Sequence, residues 1–122
     1  MAEMLGYKSE DYEFNRYSEI ESILINRHQE LERLLGVNIF SLNNEELYKV
    51  LTPRVHDDNT IDFLRSTLDQ IYQLIEERTN LLKNFHDQSL DIRNNFMKSR
   101  DDLINIKHIL VTISDIRSSL HA

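Results

Sequence analysis

From Ile61 onward the apolar residues recur in alternating strides of three and four. The positions met are Ile61, Leu64, Leu68, Ile71, Ile75, Arg78, Leu82, Phe85, Ser89, Ile92, Phe96, Ser99, Leu103, Ile106, Leu110, Ile113, Arg117 and Leu120. Most are aliphatic or aromatic, and the stride never slips. A repeat of 3.5 residues held this long predicts a helix that buries one seam against other helices. With Ile61 taken as heptad position a, Leu74, Leu81, Ile109 and Ile116 fall at g and widen the seam. Leu90, Met97, Ile104 and Val111 form a second row at b, seven residues apart. Apolar surface this wide suits a bundle of three or more helices better than a two-stranded coil.

The pattern divides the chain into four stretches. Residues 1–9 read as a frayed N-terminus. Residues 10–35 read as a first helix with Tyr17, Ile20, Leu24, Leu31 and Leu34 on one face, interrupted by Arg27, and with Gly36 as its terminator. Residues 36–59 read as a connector. Within it Asn43 and Glu46 have capping-box spacing and start a short helix up to Leu51, before Thr52-Pro53. Asn59 or Thr60 is expected to cap the next helix. Residues 60–120 then contain no Gly or Pro and read as one long heptad helix of roughly 90 Å. A break near Ser89 or Asn94-Asn95 would let that run fold back on itself. The expected class is all-α: an elongated helical hairpin or coiled coil with one long C-terminal helix, within a multi-helix bundle.

Unbroken, the long helix would outreach the first helix, which spans about 40 Å. Its seam would then be left for another chain. The predicted partner-binding residues are therefore Ile61, Leu64, Leu68, Ile71, Ile75, Leu82, Phe85, Ile92, Phe96, Leu103, Ile106, Leu110, Ile113 and Leu120. Four polar residues interrupt the seam: Arg78, Ser89, Ser99 and Arg117. An arginine in an apolar layer destabilises unless paired, but it fixes register or partner choice. Arg78→Leu is expected to raise thermal stability while loosening partner selectivity; the alternative is that the Arg78 stem packs and its head snorkels out to solvent. Arg93, Arg100 and Lys107 form a basic row at position e, suited to acids on a partner helix.

Composition removes other classes. The 122 residues hold 2 Gly, 1 Pro and no Cys, with a net charge of −7. Few turn residues agree with long helices. The acidic balance argues against nucleic acid and against an anionic membrane surface. No run is apolar enough to insert in a membrane, and Met1–Gly6 is too short and acidic to be expected to act as a secretory leader. Neither a disulfide nor a cysteine metal site is possible.

Candidate chemistry is sparse. The five histidines follow no zinc spacing. His56-Asp57 is reminiscent of a phosphohydrolase pair, but it lacks the further ligands and reads as a polar turn. Glu76-Glu77 and Asp101-Asp102 are helix neighbours that diverge by about 100°, so neither is an acid/base dyad. Tyr7, Tyr12, Phe14 and Tyr17 make an aromatic, acidic N-terminal stretch, either helix packing or a docking peptide. No catalytic residue, metal or cofactor is expected, and the chain reads as a non-enzyme.

Arg100-Asp101-Asp102-Leu103 resembles the motif of the KxDL-motif family, with Arg in place of the first Lys. Ile106, Ile109 or Leu110, and Ile113 continue its apolar spacing, and Thr79-Asn80 and Asn84-Phe85 are similar as well. The resemblance covers about 40 C-terminal residues. It implies a small helical subunit of an assembly of the type that makes lysosome-related organelles. By the same resemblance the motif is a packing element, the partners are other helical subunits, and the place is the cytoplasmic face of endosomes or lysosomes. A kinetochore, spindle or other cytoskeletal subunit uses the same seams and stands as the alternative, with a nuclear location. A SNARE-type helix with Arg78 as its polar layer and a self-sufficient homodimer scaffold are further readings.

Overall fold

The computed structural model describes the backbone of residues 2–121 and the side chains of residues 12–120. Among the described residues there are four α-helices: α1 (Ala2–Leu35), α2 (Asn44–Leu51), α3 (Asp58–Asn84) and α4 (Leu90–His121). Short 3-10 turns lie at Ile39–Ser41 and Thr52–Arg54, and there is no strand among the described residues. The all-α class and the long C-terminal helix agree with the heptad pattern. The uninterrupted helix over 60–120 does not. The chain turns at Phe85–Ser89 and α4 runs back along α3, as Arg65 to Ser114 (3.2 Å) and Arg78 to Ser99 (3.1 Å) record. Helix α1 is also antiparallel to α3: Arg16 pairs with Glu77 near the end of α3, while Arg54, just ahead of α3, donates to the Leu35 carbonyl at the end of α1.

Length explains the fold-back. At 1.5 Å per residue α1, α3 and α4 span roughly 51, 40 and 48 Å. Three helices of similar length cover one another's seams, which a 90 Å rod beside a 40 Å helix cannot do. Ile61, Leu64, Leu68 and Ile71 are fully buried in α3, against Ile20, Leu24, Leu31 and Leu35 of α1 and Ile106, Ile109, Ile113 and Ile116 of α4. Each such side chain stabilises the fold by about 1.5–3 kcal/mol.

The break is made without glycine. Phe85 leaves helical geometry at ψ 138°. The Gln88 amide then donates to the carbonyls of Leu82 (3.2 Å), Lys83 (3.4 Å) and Phe85 (2.7 Å), satisfying groups that the end of α3 leaves open. The Ser89 hydroxyl accepts from the Ile92 amide (3.3 Å) and caps α4.

The connector follows its sequence signals. Gly36 takes φ +77° and its amide donates to the Glu32 carbonyl, ending α1. The Asn43–Glu46 capping box forms in both directions at 2.8 and 3.1 Å. Pro53 sits at the start of the turn that follows α2. Leu47, Leu51 and Val55 plug the end of the bundle.

Three boundaries move. Helix α1 begins at Ala2 rather than after residue 9; Ala, Glu, Met, Leu and Lys favour helix and no proline stops it. Leu35 (4 % exposed) enters the core in place of Leu34 (36 %), because α1 keeps a 3.6-residue pitch past Leu31. The N-cap of α3 is Asp57, two or three residues ahead of the expected Asn59 or Thr60. Its carboxylate accepts from the Asn59 and Thr60 amides and from the Thr60 hydroxyl.

Candidate interaction surface

Two of the polar residues that interrupt the seam meet in one place. Arg78 points inward from α3 and is 13 % exposed. Its guanidinium donates to Glu21 of α1 (2.8 Å), to Asp102 of α4 (2.8 Å) and to the Ser99 hydroxyl (3.1 Å). Ser99 is itself buried and shares a 2.6 Å hydrogen bond with Thr79, whose hydroxyl also donates to the Ile75 carbonyl. A polar layer thus crosses all three long helices. Asp102, the aspartate of the Arg100–Leu103 motif, is one of its charges. The expected register role of Arg78 has a geometry, and it lies within the chain. Arg117, another seam interruption, pairs with Asp58 at 3.0 Å, and Ser89 is the α4 cap.

The heptad seam is not the free surface that a separate partner would meet. Ile61, Leu64, Leu68, Ile71, Ile75, Leu82, Ile106 and Ile113 are buried in the chain's own core. Phe85, Ile92, Phe96, Leu103 and Leu110 are half-buried, and only Leu120 is exposed, at 42 %. The partner-binding assignment is corrected for the eight buried residues, whose covering helices the fold-back supplies. In α4 the buried face turns toward positions d and g, through Ser99, Ile106, Ile109, Ile113 and Ile116.

What remains open is the opposite face of α4. Leu90, Met97, Ile104 and Val111 are 71, 55, 65 and 56 % exposed. They recur every seven residues, roughly 10.5 Å apart, over about 31 Å of helix. This row was legible as the b positions, but the wide-seam reading placed it inside a bundle. Arg93, Arg100 and Lys107 stand beside it, all exposed. Among the described residues none of the three forms a salt bridge. The Arg100 guanidinium lies over the Phe96 ring at 5.8 Å and the Lys107 ammonium over Tyr72 at 5.6 Å, contacts that hold stems flat and leave the charge at the surface.

A cleft of about 410 Å³ opens at the α3–α4 turn, lined by Phe14, Tyr17, Leu82, Phe85, Ile92 and Asn95, among others. Tyr17 meets Phe85 edge to face at 5.9 Å, and burial pushes the Tyr17 hydroxyl above its ordinary pKa. Phe14 and Tyr12 are exposed on α1, and the side chain of Tyr7 lies outside the described residues. Nearby, Arg16 clasps Glu77 through two bonds of 2.5 and 2.8 Å, which raise the guanidinium pKa and lower that of the carboxyl.

The acids and histidines are dispersed. Among the described residues no group of three or more could hold a metal ion. Asp57 is occupied as a helix cap, and its hydrogen bonds to Thr60 hold its carboxyl below the usual range. Glu77 is paired and Asp102 belongs to the polar layer. No helix of the described residues is long and apolar enough to cross a membrane. No family model, no curated protein and no solved structure matches the chain.

Proposed function

We propose that this chain is a non-enzymatic helical subunit of a multiprotein complex, and that it presents the outer face of α4 to a helix of another subunit. The observation that carries the reading is the row Leu90, Met97, Ile104 and Val111. Four large apolar side chains in register along one exposed helix face are more than scattered surface hydrophobics. Their seven-residue spacing matches the ridge of a second helix. The bases Arg93, Arg100 and Lys107 beside them specify the partner's chemistry: a helix with an apolar heptad row flanked by Asp or Glu. The resemblance of Arg100–Leu103 to the KxDL motif supports endosomal or lysosomal trafficking as the process, with the complex held at the cytoplasmic face of the organelle through its other subunits.

The test is co-purification of the tagged chain from its source cells, run beside the double variant Met97→Asp/Ile104→Asp. Both substituted side chains are exposed, so the variant should keep the helical signal and melting temperature of the parent. The expected result is a set of small helical proteins of an endosomal complex in near-equal amounts with the parent chain, and their loss with the variant. Retention of the same proteins by the variant refutes the α4 surface. Recovery of kinetochore or cytoskeletal subunits refutes the trafficking assignment.

A further inference from the structure

The heptad phase of α3 continues through the turn into α4. Leu82, Phe85, Ser89, Ile92 and Phe96 keep the three-four stride although the chain reverses direction between them. A hairpin makes no such demand, because the helices on either side of a turn are phased independently. A continuous helix does make it. The turn residues Phe85–Ser89 include neither Gly nor Pro, so each has a side chain that a helix accepts. Gln88 holds the carbonyls at the end of α3, and backbone amides of a continued helix would satisfy the same groups. An apolar cleft of about 410 Å³ lies at this turn, and Leu82, Phe85 and Ile92 in its lining are seam residues.

We propose that the turn opens into one helix over 58–121 and that two copies of the chain exchange α4, each packing its α4 on α1 and α3 of the other. The occupant is a second copy because the surface that α4 leaves is complementary to α4 itself, in charge as well as shape. Asp102 meets Arg78, Arg117 meets Asp58, Ser99 meets Thr79 and Ser114 meets Arg65. All four contacts are rebuilt between copies without change, which makes exchange a low-cost route to a dimer. The straightened segments cross at the dimer centre. There Phe85 and Ile92 of each copy close the cleft of the other. The outer row of α4 stays open in both forms, so the exchange is independent of the partner reading above.

The experiment uses the full chain, refolded at high concentration, diluted, and sized by chromatography with light scattering. The chain has no native cysteine, so Ser66→Cys/Asp115→Cys carries one spin-label pair. In the hairpin these positions lie on adjacent helices, with axes about 10 Å apart. In the exchanged form they are 49 residues apart on one helix (115 − 66), roughly 74 Å. Labelled chain refolded in excess unlabelled chain reads only the intrachain distance. The expected result is a dimer fraction with the long distance, enlarged by Gln88→Ala and reduced at least about tenfold by Asp87→Gly/Ser89→Gly, which penalises the continuous helix in both copies. A chain that stays monomeric in parent and Gln88→Ala alike, or a dimer that keeps the short distance, overturns the proposal.

Discussion

Replacing Arg78 by Met tests what the polar layer contributes. Methionine keeps an unbranched stem in the same space and deletes only the guanidinium. Three contacts are lost: the ion pairs to Glu21 and Asp102 and the hydrogen bond to Ser99. The carboxylate partners are 40 and 41 % exposed, so each pair is discounted for solvent to about 0.5–1 kcal/mol. The Ser99 bond adds roughly 0.5–1 kcal/mol. Against this, an arginine that is 13 % exposed no longer has to be desolvated. Nor are the partners stranded: Glu21 and Asp102 rehydrate, and Ser99 keeps Thr79 at 2.6 Å. The net expectation is a loss of about 1–2 kcal/mol, or roughly 3–8 °C in Tm for a domain of this size. Thermal and urea unfolding followed by circular dichroism measure it, with Glu21→Gln and Asp102→Asn completing double-mutant cycles whose coupling should be about 0.5–1 kcal/mol each. The sign is opposite to the stabilisation expected from an unpaired arginine in the seam. If Arg78→Met melts at or above the parent and couples to neither acid, the layer contributes nothing and the reasoning fails.

Two further outcomes follow from burial. Burial, with a smaller push from Arg78, holds the His28 pKa below its ordinary value near 6.5, the ring being stacked on Phe40 at 4.6 Å. The fold therefore favours the neutral ring. Its contribution is fully present above pH 6.5 and falls as pH drops through 6.5 toward the lower folded value, since the unfolded chain binds the proton first. His28→Gln should flatten the stability profile in that window, measured as the difference between parent and variant in urea titrations at successive pH. Ile106→Ala, at a fully buried position, should lose about 2–4 kcal/mol, whereas Ile104→Ala two residues away should stay within about 0.5 kcal/mol. Equal losses in the two would mean that the outer face of α4 is covered in the isolated chain.

How much was legible depends on the reach of each signal. Gly36, the Asn43–Glu46 box and Pro53 act over three or four residues, and the structure has each where the sequence places it. The apolar stride is also local, so the helices were legible as helices. The turn at Phe85–Ser89 was not fixed by any strong breaker. Its stop is a glutamine side chain reaching back six residues and a serine cap, both residue types that helices tolerate. Whether such a chain turns is decided by what the turn buries, a long-range quantity. The same blindness put the seam residues on a partner surface: their spacing shows that they are covered, and the covering helix proves to be another part of the same chain. The Asp57 cap was missed by two or three residues because Asp57, Asn59 and Thr60 are all good caps, and the choice between them rests on where Ile61 must enter the core.

The polar layer bears on the fold's specificity more than on its stability. The surrounding layers are nearly all Ile and Leu, at a spacing that repeats every heptad. Sliding α4 by seven residues along α3 would still set aliphatic side chains against aliphatic side chains. It would not set Ser99 and Asp102 against Arg78 and Thr79. A slipped pairing would face Arg78 with an apolar position and remove its Asp102 pair and Ser99 bond, leaving Glu21 alone to balance a guanidinium that is 13 % exposed. Arg27 of α1 shows the contrast. It interrupts its own seam, pairs only within its helix with Glu30 at 3.0 Å, and its buried Nε has no hydrogen-bond partner among the described residues. An arginine bound within one helix says nothing about where the neighbouring helices sit. Arg78 reaches two other helices at once, so the register of all three is written in one side chain, and a heptad pattern too regular to align itself is aligned there.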